Sequence, residues 1–359
     1  MMAALRDPGH LSILVLNSNW PSRQGPIMTE RKFAMWLMFL LLSTLGINAH
    51  ADQSGLLIQK GPNNRYNYVP SVIMLADGTQ KMWWCGGGAS SDVILYRSIN
   101  ANTQQIITDT TQVLVEGVSG SWDSAFVCDP SVIMGDFIYP DGSGMHYSYL
   151  MYYTGTDNST NGGIDNGVGV AYSNDGINWR KWPFPILRTS STEYGIGEQS
   201  AISADGKSAV WLFVLQKLDS SPQHYHLYYS TDGVHLQYKL QVSEAGVIGD
   251  FITEADFAFD YNGGNVYMVT NRINDEATMD VYQMPWTSLS NGSWQHFASL
   301  GANGSYKPTP TSYKYNGGAG FLRNEFGNNS TWLPMIEVFF GAGLVIDQTD
   351  MWWWQTTGN

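Results

Sequence analysis

Asp129, Glu198 and Asp256 are acidic residues set in a context that recurs along the chain. Residues 129–134 read Asp-Pro-Ser-Val-Ile-Met, and residues 69–74 read Val-Pro-Ser-Val-Ile-Met. Matching Gln199-Ser200-Ala201-Ile202 to Pro70-Ser71-Val72-Ile73 places Glu198 level with Asp129 and Val69; a looser match adds Asp256 and Thr309. A repeated unit whose variable position holds an acid draws carboxylates from distant stretches of chain to one place. Such crowding raises pKa values and is kept mainly where a site needs shifted ones. The chemistry it would serve is general acid–base work, with one protonated carboxyl assisting a leaving group and one ionised carboxylate activating water or attacking. Plainer roles compete. Asp129 before a proline can cap a turn, Glu198 can lie on a surface, and Asp256 and Glu254 can bind backbone or a structural cation.

The elements that would position these residues are short strands. Strand, Asx-Gly turn, aromatic strand and further strand recur from residue 52 onward, without an amphipathic helical run. The turns include Ala76-Asp77-Gly78, Pro140-Asp141-Gly142, Ala204-Asp205-Gly206, Asn262-Gly263-Gly264 and Asn316-Gly317-Gly318, and each supplies the positive φ of a tight hairpin. Five such units predict an all-β fold, a five-bladed β-propeller over residues 52–359, its inner strands around a central channel and a strand near residues 55–59 closing the last blade. A β-sandwich or jelly roll is the alternative. Loops at 99–122 and 155–166 are expected to shape the channel mouth.

Asp129-Pro130-Ser131-Val132-Ile133, Tyr152-Tyr153-Thr154-Gly155 and Ser173-Asn174-Asp175-Gly176-Ile177-Asn178-Trp179 resemble glycoside hydrolase family 43 and related five-bladed propellers. The resemblance covers most of residues 60–300. It implies a glycosidase acting on a poly- or oligosaccharide, with arabinose- and xylose-containing glycans as the family's usual substrates. It also implies that Asp129 tunes pKa values and that Glu198 is the general acid. The chain departs from the family at the first blade, where Val69 stands in place of the aspartate base. Asp123, Glu254, Asp256 and Asp92 are the candidate replacements. The departure keeps two other readings open: a carbohydrate-binding propeller without catalysis, and a phosphorylase or transglycosidase drawing on Arg65, Arg97 or Arg272.

Flat aromatic faces stack on sugars, so Trp83, Trp84, Trp122 and Trp211 are candidate cleft residues, with packing between blades as their commoner use. Asp123, Glu254 and Arg272 are further candidates for substrate contact. His224 and His226, two residues apart, are a weak metal signal, and no metal site is expected from them. Asp175, Asp205 and Asp232 read as turn residues. No organic cofactor is expected; a structural Ca²⁺ would suit the axis of such a channel, although no loop carries a calcium pattern.

The net charge of -13 argues against nucleic acid and anionic lipid as partners and favours a neutral one such as carbohydrate. Arg31 and Lys32 precede an apolar run at 33–47 that ends at Ala49-His50-Ala51, the layout of a secretory signal. The run is shorter than the ~20 residues of a membrane span. Translation is expected to start at Met28 and the exported protein to begin near Asp52, in the periplasm or outside the cell. In an oxidising compartment Cys85 and Cys128 can bridge, or remain as buried thiols. Asn158-Ser159-Thr160 and Asn329-Ser330-Thr331 fit glycan acceptor sequons.

Overall fold

The computed structural model describes residues 52–357, apart from 62–65, 88–90, 158–165, 189–194, 218–221, 261–263, 273, 302–308, 311 and 329–334. The leader, Met28, Arg65 and both sequons therefore lie outside the described residues. The fold is all β. Five units of antiparallel strands follow one another. The first comprises β2 (Asn67–Met74), β3 (Thr79–Gly87), β4 (Asp92–Asn100) and β5 (Gln105–Leu114). The second is β6 (Phe126–Ile138), β7 (His146–Thr156) and β8 (Gly167–Ser173), with the short β9 (Arg180–Lys181) and β10 (Leu187–Arg188) both paired to β8. The third is β11 (Ile196–Ser203), β12 (Val210–Lys217), β13 (Gln223–Ser230) and β14 (Gln237–Gln241). The fourth is β15 (Asp256–Asp260), β16 (Asn265–Arg272), β17 (Asp275–Pro285) and β18 (Gln295–Gly301). The last holds β19 (Tyr315–Arg323), β20 (Ile336–Gly343) and β21 (Thr349–Thr356), and takes the N-terminal β1 (Gln53–Ile58) as its outer strand.

Two of these units share one eight-stranded sheet, because β19 pairs in parallel with β2 at Leu322–Val72 and Arg323–Ile73. Apolar side chains on each face fill the space between neighbours. Ile73, Trp83 and Tyr96 pack on Val132, Met151 and Tyr153, and Phe213 stacks on Phe257 with centroids 4.0 Å apart. Val72, Met82 and Trp84 pack on Leu322, Phe339 and Met351, joining first unit to last. The arrangement of several antiparallel sheets is propeller-like. No helix among the described residues is long and apolar enough to cross a membrane.

The turn aspartates do what their sequence suggests. Asp175 Oδ1 accepts the N–H groups of Ile177 and Asn178, both at 2.8 Å, and Asp232 Oδ1 accepts those of Val234 and His235 at 3.0 and 2.8 Å. Trp83 and Trp179 both donate their indole N–H to the Gly176 carbonyl, which fixes the turn on the first unit. Two expectations fail. Part of the 99–122 stretch is the outer strand β5, not loop, because pairing with β4 satisfies its backbone. Asn316-Gly317-Gly318 is not a turn but the inner strand β19. Its glycines allow close approach: a Cβ on Gly320 would meet the Pro70 carbonyl oxygen at 1.8 Å.

Cys85 and Cys128 form a disulfide between β3 and β6, 43 residues apart in sequence. Tyr66 packs on it, and the Tyr68 hydroxyl lies 3.3 Å from Cys128 Sγ. Closing a loop of this length restricts the unfolded chain, so Cys85→Ala/Cys128→Ala is expected to lose about 2–4 kcal/mol of stability. Urea unfolding of the native and double-variant proteins measures it.

Candidate active site

Five residues occupy one level, four within β2, β6, β11 and β19 and Glu254 two residues before β15, and the backbone identifies them. Val69, Asp129, Glu198 and Glu254 have φ of 49°, 48°, 46° and 47°, and Gly318 has 54°. The left-handed region is strained for side chains other than glycine, most of all for the β-branched Val69. At four of the five the pairing slips by a residue, between Tyr68 and Ser71, Cys128 and Ser131, Gly197 and Ser200, and Gly317 and Gly320. These are bulges, which re-aim a side chain out of the sheet. The residue at this level in the fourth unit is thus Glu254, not Asp256, and in the fifth it is Gly318, not Thr309.

Two residues beyond each bulge, a second ring joins the units. Ser71 Oγ accepts the Val132 N–H at 3.0 Å, Ser131 Oγ that of Ala201 at 2.9 Å, and Ser200 Oγ that of Phe257 at 3.1 Å. In the fourth unit Asp256 takes the serine's place and accepts the Phe321 N–H at 2.9 Å. Its other oxygen accepts the Ser200 hydroxyl at 2.6 Å and lies 3.6 Å from the Arg323 guanidinium. Asp256 borders the cavity, but its carboxylate is held by the scaffold. Arg323, 1 % exposed, donates to the Ala201 carbonyl at 2.9 Å and reaches Ser71 Oγ at 3.3 Å. One cation therefore joins the first, third, fourth and last units.

Above this plug lies a cavity of about 360 Å³, bordered by Asp129, Glu198 and Glu254 together with Val69, Asp92, Thr154 and Asn166. Glu198 is less compensated than Glu254. Its Oε2 accepts the Glu254 N–H at 2.6 Å and lies 3.4 Å from the Tyr225 hydroxyl. Burial, followed by the charges of Glu254 and Asp129, pushes its carboxyl well above the usual glutamate range. Glu254 is buried as well, which raises it. Its Oε2, however, accepts from Asn271 at 2.8 Å, the Tyr315 hydroxyl at 2.9 Å and the Gly318 N–H at 3.1 Å, and the last two donors pull it back down. Adjacent carboxyls are thereby driven apart in proton affinity. Asp129 is 5 % exposed, and its carbonyl accepts from the Gln199 amide, which also accepts from Thr154 at 3.1 Å.

The raised values have a consequence for stability. Glu198 and Glu254 bind protons more tightly folded than unfolded, so their contribution is fully present below the ordinary glutamate range. It is lost as pH rises through the raised values. Stability is expected to fall with rising pH in that window, and Glu198→Gln to flatten the fall. Chemical unfolding across a pH series reads this out.

The remaining candidates lie elsewhere. Trp84 is fully buried and donates to Asn67 Oδ1 at 2.8 Å, between first and last units. Trp122 is buried against Tyr153, with centroids 5.7 Å apart. Asp123 is buried and accepts from Lys181 at 2.6 Å, Ser121 at 2.9 Å and Tyr153 at 3.0 Å. Arg272 is fixed on Asp280 by bonds of 3.0 and 2.8 Å. The polar groups of Trp84, Asp123 and Arg272 are bound within the scaffold, and none of the four residues lines the cavity. Among the described residues no lysine or arginine borders the cavity, so Arg97 and Arg272 supply no phosphate pocket there. His224 is paired with Glu244 at 3.1 Å, His226 is buried, and no cluster of metal-ligating side chains occurs among the described residues. Sequence reading missed Tyr225, Tyr315, Asn166 and Arg323. Only the repeat register, extended into the Gly-rich last unit, carried a signal for the fifth position and, five residues on, for Arg323.

By sequence alone the chain matches no protein-family model and no curated protein. Its fold is similar to that of several solved structures. An α-L-arabinofuranosidase from Lactobacillus brevis superposes with a TM-score of 0.58 at 12% identity, over 84% of this chain and 94% of that one. The catalytic domain of a GH62 α-L-arabinofuranosidase from Coprinopsis cinerea gives 0.57 at 11%, over 86% and 97%. A family 117 glycoside hydrolase from Zobellia galactanivorans gives 0.54 at 11%, over 86% and 91%.

Proposed function

We propose that this chain is an exported five-bladed β-propeller that hydrolyses glycosidic bonds of a poly- or oligosaccharide, with Glu198 as general acid. The observation that carries this reading is the contrast at the cavity floor. Burial and the charges of Glu254 and Asp129 push the Glu198 carboxyl well above the usual glutamate range, while Glu254, one blade on, has three donors on one oxygen, two of which offset part of its own upward shift. A carboxylic acid beside a carboxylate is the pair that glycoside cleavage requires. Glu254 is assigned the water-activating role and Asp129 the role of raising the Glu198 proton affinity. Val69 then needs no substitute in its own blade, because the acidic triplet stands on the second, third and fourth blades. Arabinose- and xylose-type glycans are the first substrates to examine, since two of the similar folds carry the name arabinofuranosidase. The Cys85–Cys128 bridge and the Ala49-His50-Ala51 sequence support export.

The test is a screen of aryl glycosides and polysaccharides for sugar release, with the native protein beside Glu254→Gln, Asp129→Asn and Val69→Asp. Glu254→Gln should lose most activity, Asp129→Asn should shift the pH profile, and Val69→Asp should bring no gain. A gain in Val69→Asp would return the base to the first blade. Binding of glycans without any release would favour the non-catalytic reading, for which Val69 is the supporting observation.

A further inference from the structure

A second cleft lies away from the cavity, where the last unit meets the first. At their inner ends β19 and β2 are hydrogen-bonded, and an apolar cluster fills the space behind them as far as Met82 and Phe339. Beyond that point the facing strands carry polar groups instead. Gln80 and Arg97 follow along β3 and β4, and Glu337, Trp353 and Gln355 along β20 and β21. Two adjoining cavities of about 160 and 260 Å³ result, both bordered by Gln80 and Gln104. Arg97 stands in the first and Glu337 in the second.

Several polar groups of this cleft lack partners among the described residues, although the Gln104 amide donates to the Ala101 carbonyl at 2.8 Å. Gln80 is 6 % exposed, yet its amide has no hydrogen bond among the described residues. Arg97 Nε is buried without an acceptor, and no carboxylate among the described residues pairs with the guanidinium. That is unusual in a chain with 31 acidic and 18 basic residues. Among the described residues Glu337 has neither a cation nor a donor beside it, and burial pushes its carboxyl up to about 7. Buried polar groups are nearly always satisfied, and orphans concentrated in one cleft imply a ligand or solvent that completes them. The set defines the ligand's chemistry: an anion for the guanidinium, several hydroxyls for the amides and the Glu337 carboxyl, and an apolar face for the Trp353 indole.

We propose that this seam binds an acidic sugar residue of a glycan chain, its carboxylate on Arg97 and its hydroxyls on Gln80, Gln104, Gln355 and Glu337. The site is separate from the Glu198 cavity and would hold a polymer without cutting it.

Titration calorimetry with a galacturonic acid trimer and a neutral galactose trimer tests this. The acidic trimer should bind the native protein and Glu198→Gln equally, and the neutral trimer at least tenfold more weakly. Arg97→Met should weaken the acidic trimer about tenfold or more. Gln104→Ala, on an exposed turn, should weaken it less, with thermal melting showing that both variants are folded. Cleavage of aryl glycosides should be unchanged in both, which separates failure of the seam from failure of the catalytic reading. No binding of the acidic trimer, equal binding of the neutral one, or loss of binding in Glu198→Gln alone would overturn the proposal.

Discussion

Glu198→Gln is expected to lower the rate of cleavage of natural glycans by about 10²–10⁴-fold, the usual contribution of a positioned acid. Glutamine is nearly isosteric and still accepts the Glu254 N–H that Glu198 Oε2 receives at 2.6 Å. The backbone bulge and the neighbouring carboxylate should therefore stay in place, and substrate affinity should change little. What is lost is the transferable proton. The deficit should shrink for aryl glycosides with acidic leaving groups, which depart without protonation. It should also be accompanied by loss of the alkaline limb of the pH–rate profile, because that limb reports Glu198 giving up its proton. Steady-state rates on a polysaccharide and on a nitrophenyl glycoside, over a range of pH, check all three. A variant that keeps full activity on both substrates removes Glu198 from the mechanism.

Arg323→Met should have the largest effect on stability, a loss of about 3–5 kcal/mol, as expected when one member of a buried ion pair is deleted. The guanidinium is 1 % exposed, lies 3.6 Å from Asp256 Oδ1 and donates to the Ala201 carbonyl. Methionine fills much of the volume but leaves Asp256 without its cation and the carbonyl without its donor. Adding Asp256→Asn removes the uncompensated charge. The double variant should therefore lose clearly less than the sum of the single losses. Urea unfolding of the four proteins in the cycle gives the coupling, and strict additivity would mean that the buried pair is not the source of the effect.

Asp129 and Glu198 were legible in the sequence because the phrase behind them survives in the first three units. Glu254 was harder to assign. In three units the residue two places past the bulge is a serine whose hydroxyl accepts a neighbour's N–H, and in the fourth an aspartate does the same work. A carboxylate in the serine's place looks like the ring acid itself, which shifted the alignment by two residues. The last unit was obscured by its glycines, since Asn316-Gly317-Gly318 has the composition of a hairpin turn. What puts glycine there is contact with Asn271, Tyr68 and Pro70 of other units, and a local pattern cannot reveal a distant neighbour. The tryptophans misled for a related reason. A flat ring that stacks on sugar also fills the gap between two sheets, and only burial separates the two uses.

The pairing of β1 with β21, which sets Gln53 opposite Gln355, fixes the order in which the molecule can be completed. β1 precedes every other described strand and has no partner until β21 has emerged. Through synthesis β1 remains an unpaired edge, and the last sheet cannot finish until the whole intervening chain is in place. Contacts of such long sequence separation slow folding. Deleting the last strand would release both ends of the chain together, leaving the preceding units to form without their fastening.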